Sequence, residues 1–484
     1  MSRPGHVLGL ALLLLTSCTD ANGDVEGNPG DTDVATDAAD AAADDPSEFP
    51  ETGDDPDAVG AEDVAADAPP GDTPPDAIDT ADMGAETEDV PSDPPRQDLL
   101  LVYADGNPES EALAAYYADP ATGRDIDPAM MLGIAVPAAS TVDRDTYETA
   151  IRTPIADWIQ ASGRRNEIKY IVLFKGVPHR ISGTGEFDPM ASTFSSVDSE
   201  LCTLFSAGLY PVEGWLFNGP RYNDYIGGGG FYLGADTEFR HQRFTVSSRD
   251  RRFNLDYLVG RIDAYSYDDA RGMIDRAKAA STTGWVVLDT SPGRRGLDTM
   301  VDPVWPQTDD SADSAEERLR AAGLGVVSDT SNATLVGDPA EALPDGAVES
   351  VIAYAGWGVN HGGDGYPGGA LYIRDDLQFT WLPGAAWLSY ESFNGTVLDG
   401  ALLDAEPGAR RGQGQVGDFL ARGGTVAIGN AWEPFASAVG HEAHIFERYL
   451  VHGDPWIEAA YKGLRYLSWQ EVVLGDPLCT LPTP

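Results

Sequence analysis

Residues Ala385–Gly395 read AAWLSYESFNG. A short apolar run from Ala385 to Leu388 ends in Ser389-Tyr390-Glu391-Ser392 and a turn at Phe393-Asn394-Gly395. Such a run, closed by a Gly-containing turn, predicts a buried strand that delivers a carboxylate and a hydroxyl to its own exit. Ligands and catalytic groups collect at the carboxyl ends of strands in open α/β sheets, which makes Glu391, Ser392 and Asn394 candidate site residues. A strand that simply ends in a polar turn is the alternative.

Similar runs recur on both sides. DLLLVYA is followed by Asn107-Pro108 and the helical ESEALAAYYA, a cap-then-proline start. IKYIVLFKG empties into Gly176-Val177-Pro178, and beyond residue 255 come LDYLVGRID, YDDARGMIDRAKAA, GWVVLD, DSAEERLRAAG, ESVIAYAG, QVGDFLARGG, TVAIGN, EAHIFERYLVHG, a helix beginning near Pro455-Trp456, and EVVLGDPLC. Strands alternating with amphipathic helices predict an α/β fold of mostly parallel sheets flanked by helices, in two lobes, 96–255 and 256–484. No internal repeat of solenoid or propeller period is present.

The ends of the chain carry a different message. MSRPGHVLGLALLLLTSC has a basic start, an apolar core too short to span a bilayer, and small residues before Cys18, the anatomy of a cleaved signal over residues 1–18. Residues 19–95 hold about twenty-five acidic side chains and no Lys or Arg, a composition that predicts a disordered acidic tether. Of 79 acidic and 31 basic residues in all, the remainder keeps an acidic excess of about 24 charges. Nucleic acid is therefore not an expected partner. Cys202 and Cys479 lie in no CxxC or Cys/His cluster, and they are equally readable as a disulfide or as two buried thiols. The Gly227–Gly230 run lacks the GKS/GKT ending of a phosphate cradle, and no cofactor is expected.

Three resemblances follow from these motifs. Leu15-Thr16-Ser17-Cys18 resembles the lipobox of bacterial lipoproteins, implying lipid at Cys18, a membrane partner, and a cell-envelope location, periplasmic or at the cell surface. The second lobe resembles gingipain-type cysteine peptidases of the caspase-like group through Val259-Gly260-Arg261, Tyr354-Ala355-Gly356-Trp357-Gly358, Ser389 to Gly395, Gly423 to Ala427 and Gly475-Asp476-Pro477. The whole folded part is similar to an uncharacterised exported bacterial family found in species with exosortase-type sorting. It shares Ala115-Tyr116-Tyr117, Gly176-Val177-Pro178, Ser196 to Leu201, Ile274-Asp275, Trp357-Gly358, Glu433-Pro434 and Gly475 to Leu478. That family implies an exported location and no activity.

Under the gingipain resemblance Ser392 occupies the place of the nucleophilic Cys and Trp357 that of the His base. A serine hydroxyl needs a neighbouring base, and Trp accepts no proton, so the direct successor of the dyad is expected to be inert. His361, in GVNHGGDGYPGG, is the replacement base to consider, oriented by Asp364 or Glu391, with the Gly358 and Ser392 amides as oxyanion donors. A solvated loop histidine is the alternative. Asp198, Glu200 and Glu433, with Trp357, Glu391 and Asn394, complete an expected rim; capping or salt bridging is the equal alternative for its acids. Aromatic walls for it come from Trp357, Tyr366, Tyr390, Phe393 and Trp432. His441 and His444 form H-E-x-H rather than the zincin H-E-x-x-H, so no metal site is assigned. The expected function is binding, of a peptide or an envelope protein, or envelope maturation; the enzymatic alternative is a serine hydrolase using Ser392 and His361.

Overall fold

The computed structural model describes residues 94–183, 194–206, 221–223, 225, 255–280, 283–289, 315–329, 334–358, 369–405, 408–434 and 438–484. The signal, Cys18, the acidic tether, the four-glycine run and the loop bearing His361, Asp364 and Tyr366 lie outside them.

Ten strands build one sheet: β1 (Leu99–Ala104), β2 (Met131–Ile134), β3 (Tyr170–Phe174), β4 (Leu258–Ile262), β5 (Trp285–Asp289), β6 (Gly325–Asp329), β7 (Val351–Gly356), β8 (Trp381–Ser389), β9 (Val426–Asn430) and β10 (Glu471–Leu474). Their order is β6-β5-β7-β8-β9-β10-β4-β3-β1-β2. Every neighbouring pair is parallel except β9 and β10. The fold is mixed α/β with helices flanking a mostly parallel sheet. β1, β3 and β4 are almost wholly apolar and buried, as strands covered on both faces must be.

The two expected halves share this sheet. β4 pairs with β3 of the first half and with β10, so the division near residue 255 runs through continuous strand pairing. β10 joins the halves and, among the described residues, carries the sheet's single reversal of direction. The carboxyl ends of β8 and β9 therefore lie on the same sheet edge as the start of β10, where Asn430 stands opposite Glu471.

Local chemistry accounts for the elements. The Asn107 side chain accepts from the amides of Glu109 and Ser110 at the start of α1 (Pro108–Ala118), with Pro108 in the first turn. Ser266 and Asp269 form a reciprocal capping box at the start of Tyr267–Ala279. β8 begins at Trp381, four residues before the apolar run suggests, because a bulge absorbs Pro383 and Gly384, the latter at φ +92°. Among the described residues no helix is long and apolar enough to cross a membrane.

Candidate functional site: the exit of the Trp381–Ser389 strand

Past Ser389 the chain is held at each step. The Tyr390 amide donates to the Gly356 carbonyl at 2.9 Å, that of Phe393 to Trp432 at 2.8 Å, and that of Gly395 to Asn430 at 3.0 Å. Side chains finish the frame: Asn394 Oδ1 accepts from the Asn430 amide, while Asn394 Nδ2 donates to Ser389 Oγ at 2.9 Å. Between these anchors Phe393 adopts φ +56°, a left-handed conformation that costs a bulky residue about 1–2 kcal/mol. The pinned flanks over-determine it. The sequence suggests an Asn-Gly turn here, whereas the strained residue is the aromatic one before it.

Glu391 lies inside, fully buried. Its Oε2 accepts from Ser389 Oγ at 2.9 Å and from the Tyr372 hydroxyl at 3.0 Å, its Oε1 accepts from the Gly414 amide at 2.9 Å, and its carbonyl accepts from Asn430 Nδ2 at 2.7 Å. A carboxylate given three donors is stable in burial. Gly358, at φ +74°, packs against it: a Cβ there would sit 2.0 Å from Glu391 Cγ. Only glycine fits.

Ser392 follows directly, half-buried, and its hydroxyl has no hydrogen-bond partner among the described residues. The Ser392–His361 pair itself lies outside the described residues. Trp357 is 3% exposed, its ring 4.5 Å from that of Tyr390 in a tilted stack. It walls the strand end from within. Trp432 is also buried, in edge contact with Phe194 at 4.8 Å, beneath the Arg180 guanidinium at 4.9 Å, and donating from Nε1 to the Ser195 carbonyl.

The acids expected on a rim part company. Glu433 is exposed. Asp198 is instead buried and gripped by Arg261, with Nη2 to Oδ2 at 2.6 Å and Nε to Oδ1 at 2.9 Å. Arg261 also reaches Asp263 at 3.1 Å; burial opposes its charge, but the two carboxylates outweigh burial and raise its pKa. Glu200 is buried too, accepting from Ser195 Oγ at 2.9 Å and pairing with Arg144 at 3.1 Å. Both carboxylates therefore form the salt bridges weighed as the alternative to a place on the rim.

His179 stood out in no motif, yet it is 2% exposed and its Nε2 lies 3.1 Å from the Thr396 carbonyl, two positions beyond Asn394. Burial, then the nearby Arg180 and Arg261 charges, push its pKa well below the usual imidazole value. The ring is neutral, and its Nε2 proton donates to Thr396. His441 is half-buried with its ring 4.4 Å from that of His444. Among the described residues no group of three or more His, Cys, Asp or Glu side chains could hold a metal. Cys202 and Cys479 are separate buried thiols, 3.0 Å from the Tyr461 hydroxyl and 3.1 Å from the Tyr449 hydroxyl respectively, which settles the open pairing question.

Sequence reading passed over Glu471. It is 3% exposed, neither carboxylate oxygen makes a well-formed hydrogen bond, and burial pushes its pKa up to about 8. A Glu ahead of the apolar VVL reads as an ordinary strand flank, so nothing in the pattern marks it.

No protein-family model matches the chain. No curated protein matches it either. Among solved structures it is similar to the complex of Porphyromonas gingivalis RgpB pro- and mature domains, at 12% identity over 80% of each chain with a TM-score of 0.37. That likeness assigns no residue a role.

Proposed function

We propose that this chain is an exported, lipid-anchored binding protein whose strand-end rim holds a peptide or an envelope protein without hydrolysing it. One observation carries the reading: the Ser392 hydroxyl has no hydrogen-bond partner among the described residues, while the adjacent carboxylate, Glu391, is engaged by Tyr372, Ser389 and Gly414. A serine nucleophile needs a base within reach and a third group to orient that base. The accessible groups suit contact instead. Phe393 is half-buried beneath the Arg411 guanidinium at 5.4 Å, and Glu433 stands exposed one residue after Trp432. The anchor rests on Leu15 to Cys18 and the acidic tether of residues 19–95.

The test is turnover and binding of a mixed peptide and ester library by the full chain, beside Ser392→Ala. Binding without turnover, kept in Ser392→Ala and weakened by Phe393→Ala or Glu433→Lys, is the expected result. Turnover lost in both Ser392→Ala and His361→Ala would make the protein a serine hydrolase and end the binding reading. For the anchor, incorporation of labelled fatty acid should vanish on Cys18→Ala; incorporation unchanged in that variant would refute it.

A further inference from the structure

Asn430 and Glu471 face each other across the sheet's antiparallel seam between β9 and β10, the only one among the described residues. The Asn430 amide donates to Asn394 and its carbonyl accepts from Gly395, while the Glu471 carbonyl accepts from Ser196. Neither backbone bonds across the pair, so it is of the non-hydrogen-bonded kind, with Cα atoms about 4.5 Å apart and side chains brought close on one face. The orientation of the Asn430 amide follows from its neighbour: Nδ2 must donate to the Glu391 carbonyl, which leaves Oδ1 as an acceptor.

Three buried acceptor atoms thereby make no well-formed hydrogen bond: Glu471 Oε1, Glu471 Oε2 and Asn430 Oδ1, with only the backbone amides of Gln470 and Glu471 itself acting on the carboxylate. Both residues are more than nine-tenths buried. Burying such groups unpaired is costly, and a site that retains them is complementary to something that donates. We infer that Glu471 and Asn430 form a binding site for an ammonium group, either the free ion or the end of a primary amine. An alkylammonium offers three N–H donors and one positive charge against three acceptors and one carboxylate. A hard metal fits less well: calcium takes six to eight oxygens and magnesium a near-ideal octahedron, whereas this pair supplies three. Without an occupant, burial drives the carboxyl up to about 8, so it is the charge of a guest that would keep Glu471 ionised. The inference stands on this pair alone and does not depend on the proposed role of the rim.

The experiment is thermal unfolding of the full chain at matched ionic strength in ammonium, methylammonium, tetramethylammonium, sodium or calcium chloride. Ammonium salts should raise Tm in a concentration-dependent way that sodium and tetramethylammonium do not reproduce, and Glu471→Gln should abolish the rise. A rise with methylammonium identifies an amine terminus as the guest; a rise with ammonium alone identifies the free ion. No ammonium-specific rise, as expected if only water fills the site, overturns the inference, and so does an equal rise in Glu471→Gln or a response confined to calcium. Should that variant fail to fold, carboxyl 13C shifts of labelled glutamate in the unaltered chain decide: one buried resonance must move with ammonium, and none moving overturns the site.

Discussion

Two buried glutamates flank Asn430 and share its side chain as a neighbour, yet they live under opposite rules. Glu391, at the exit of β8, receives a tyrosine hydroxyl, a serine hydroxyl and a backbone amide. Glu471, at the start of β10, makes no well-formed hydrogen bond and feels only the amides of Gln470 and of its own backbone. The first is a carboxylate whose three donors come from three separate places in the chain; the second is a desolvated one whose proton affinity is raised to about 8. Burial alone therefore says little about what a carboxylate is for. Its donors decide.

Breaking the first side should cost most. Glu391→Ala leaves the Tyr372 and Ser389 hydroxyls and the Gly414 amide unpaired around a new cavity, and should lower stability by about 5 kcal/mol in denaturant unfolding. A loss below about 1 kcal/mol would mean that the network is incidental. The second side should respond with the opposite sign. A carboxyl with a raised folded pKa contributes equally to both states below about pH 4.5, holds its proton only in the folded chain between there and about 8, and so weakens folding as pH rises through that window. Glu471→Gln should remove that decline, gaining on the order of 4 kcal/mol at alkaline pH and almost nothing near pH 4. Parallel pH profiles for the two proteins would contradict it.

Smaller effects sharpen the contrast. Gly358→Ala meets both the positive φ and the Glu391 side chain, and should cost about 2–4 kcal/mol. Ser392→Ala removes a half-buried hydroxyl with no partner among the described residues, so its effect on unfolding free energy should stay within about 0.5 kcal/mol. Deleting residues 19–95 should leave the melting of the rest almost unchanged, and a large loss would move the expected boundary.

Much of the scaffold was legible because it is written locally. Apolar runs marked β1, β3, β7, β8 and β9, and Asn107-Pro108 marked the start of α1. What escaped depends on partners distant in sequence. Asp198 and Glu200 read equally as rim acids or as capping or salt-bridging groups until Arg261 and Arg144 are brought to them. The β8 bulge hides behind Pro383-Gly384, which reads as a break, and the reversal at β10 has no signature in a short apolar run. Phe393 is strained only because Trp432 and Asn430 hold its flanks. The candidate turn was found for a sound reason, its place at a strand end. Which of its groups is structural emerged only from the donors around each oxygen.

The central proposal is that the strand-end hydroxyl at Ser392 serves a binding rim rather than catalysis. Incubating the full chain with a fluorophosphonate and measuring intact and peptide masses tests it most directly. The account predicts no phosphonyl adduct on Ser392; a stoichiometric adduct there, absent from Ser392→Ala and prevented by His361→Ala, would contradict it.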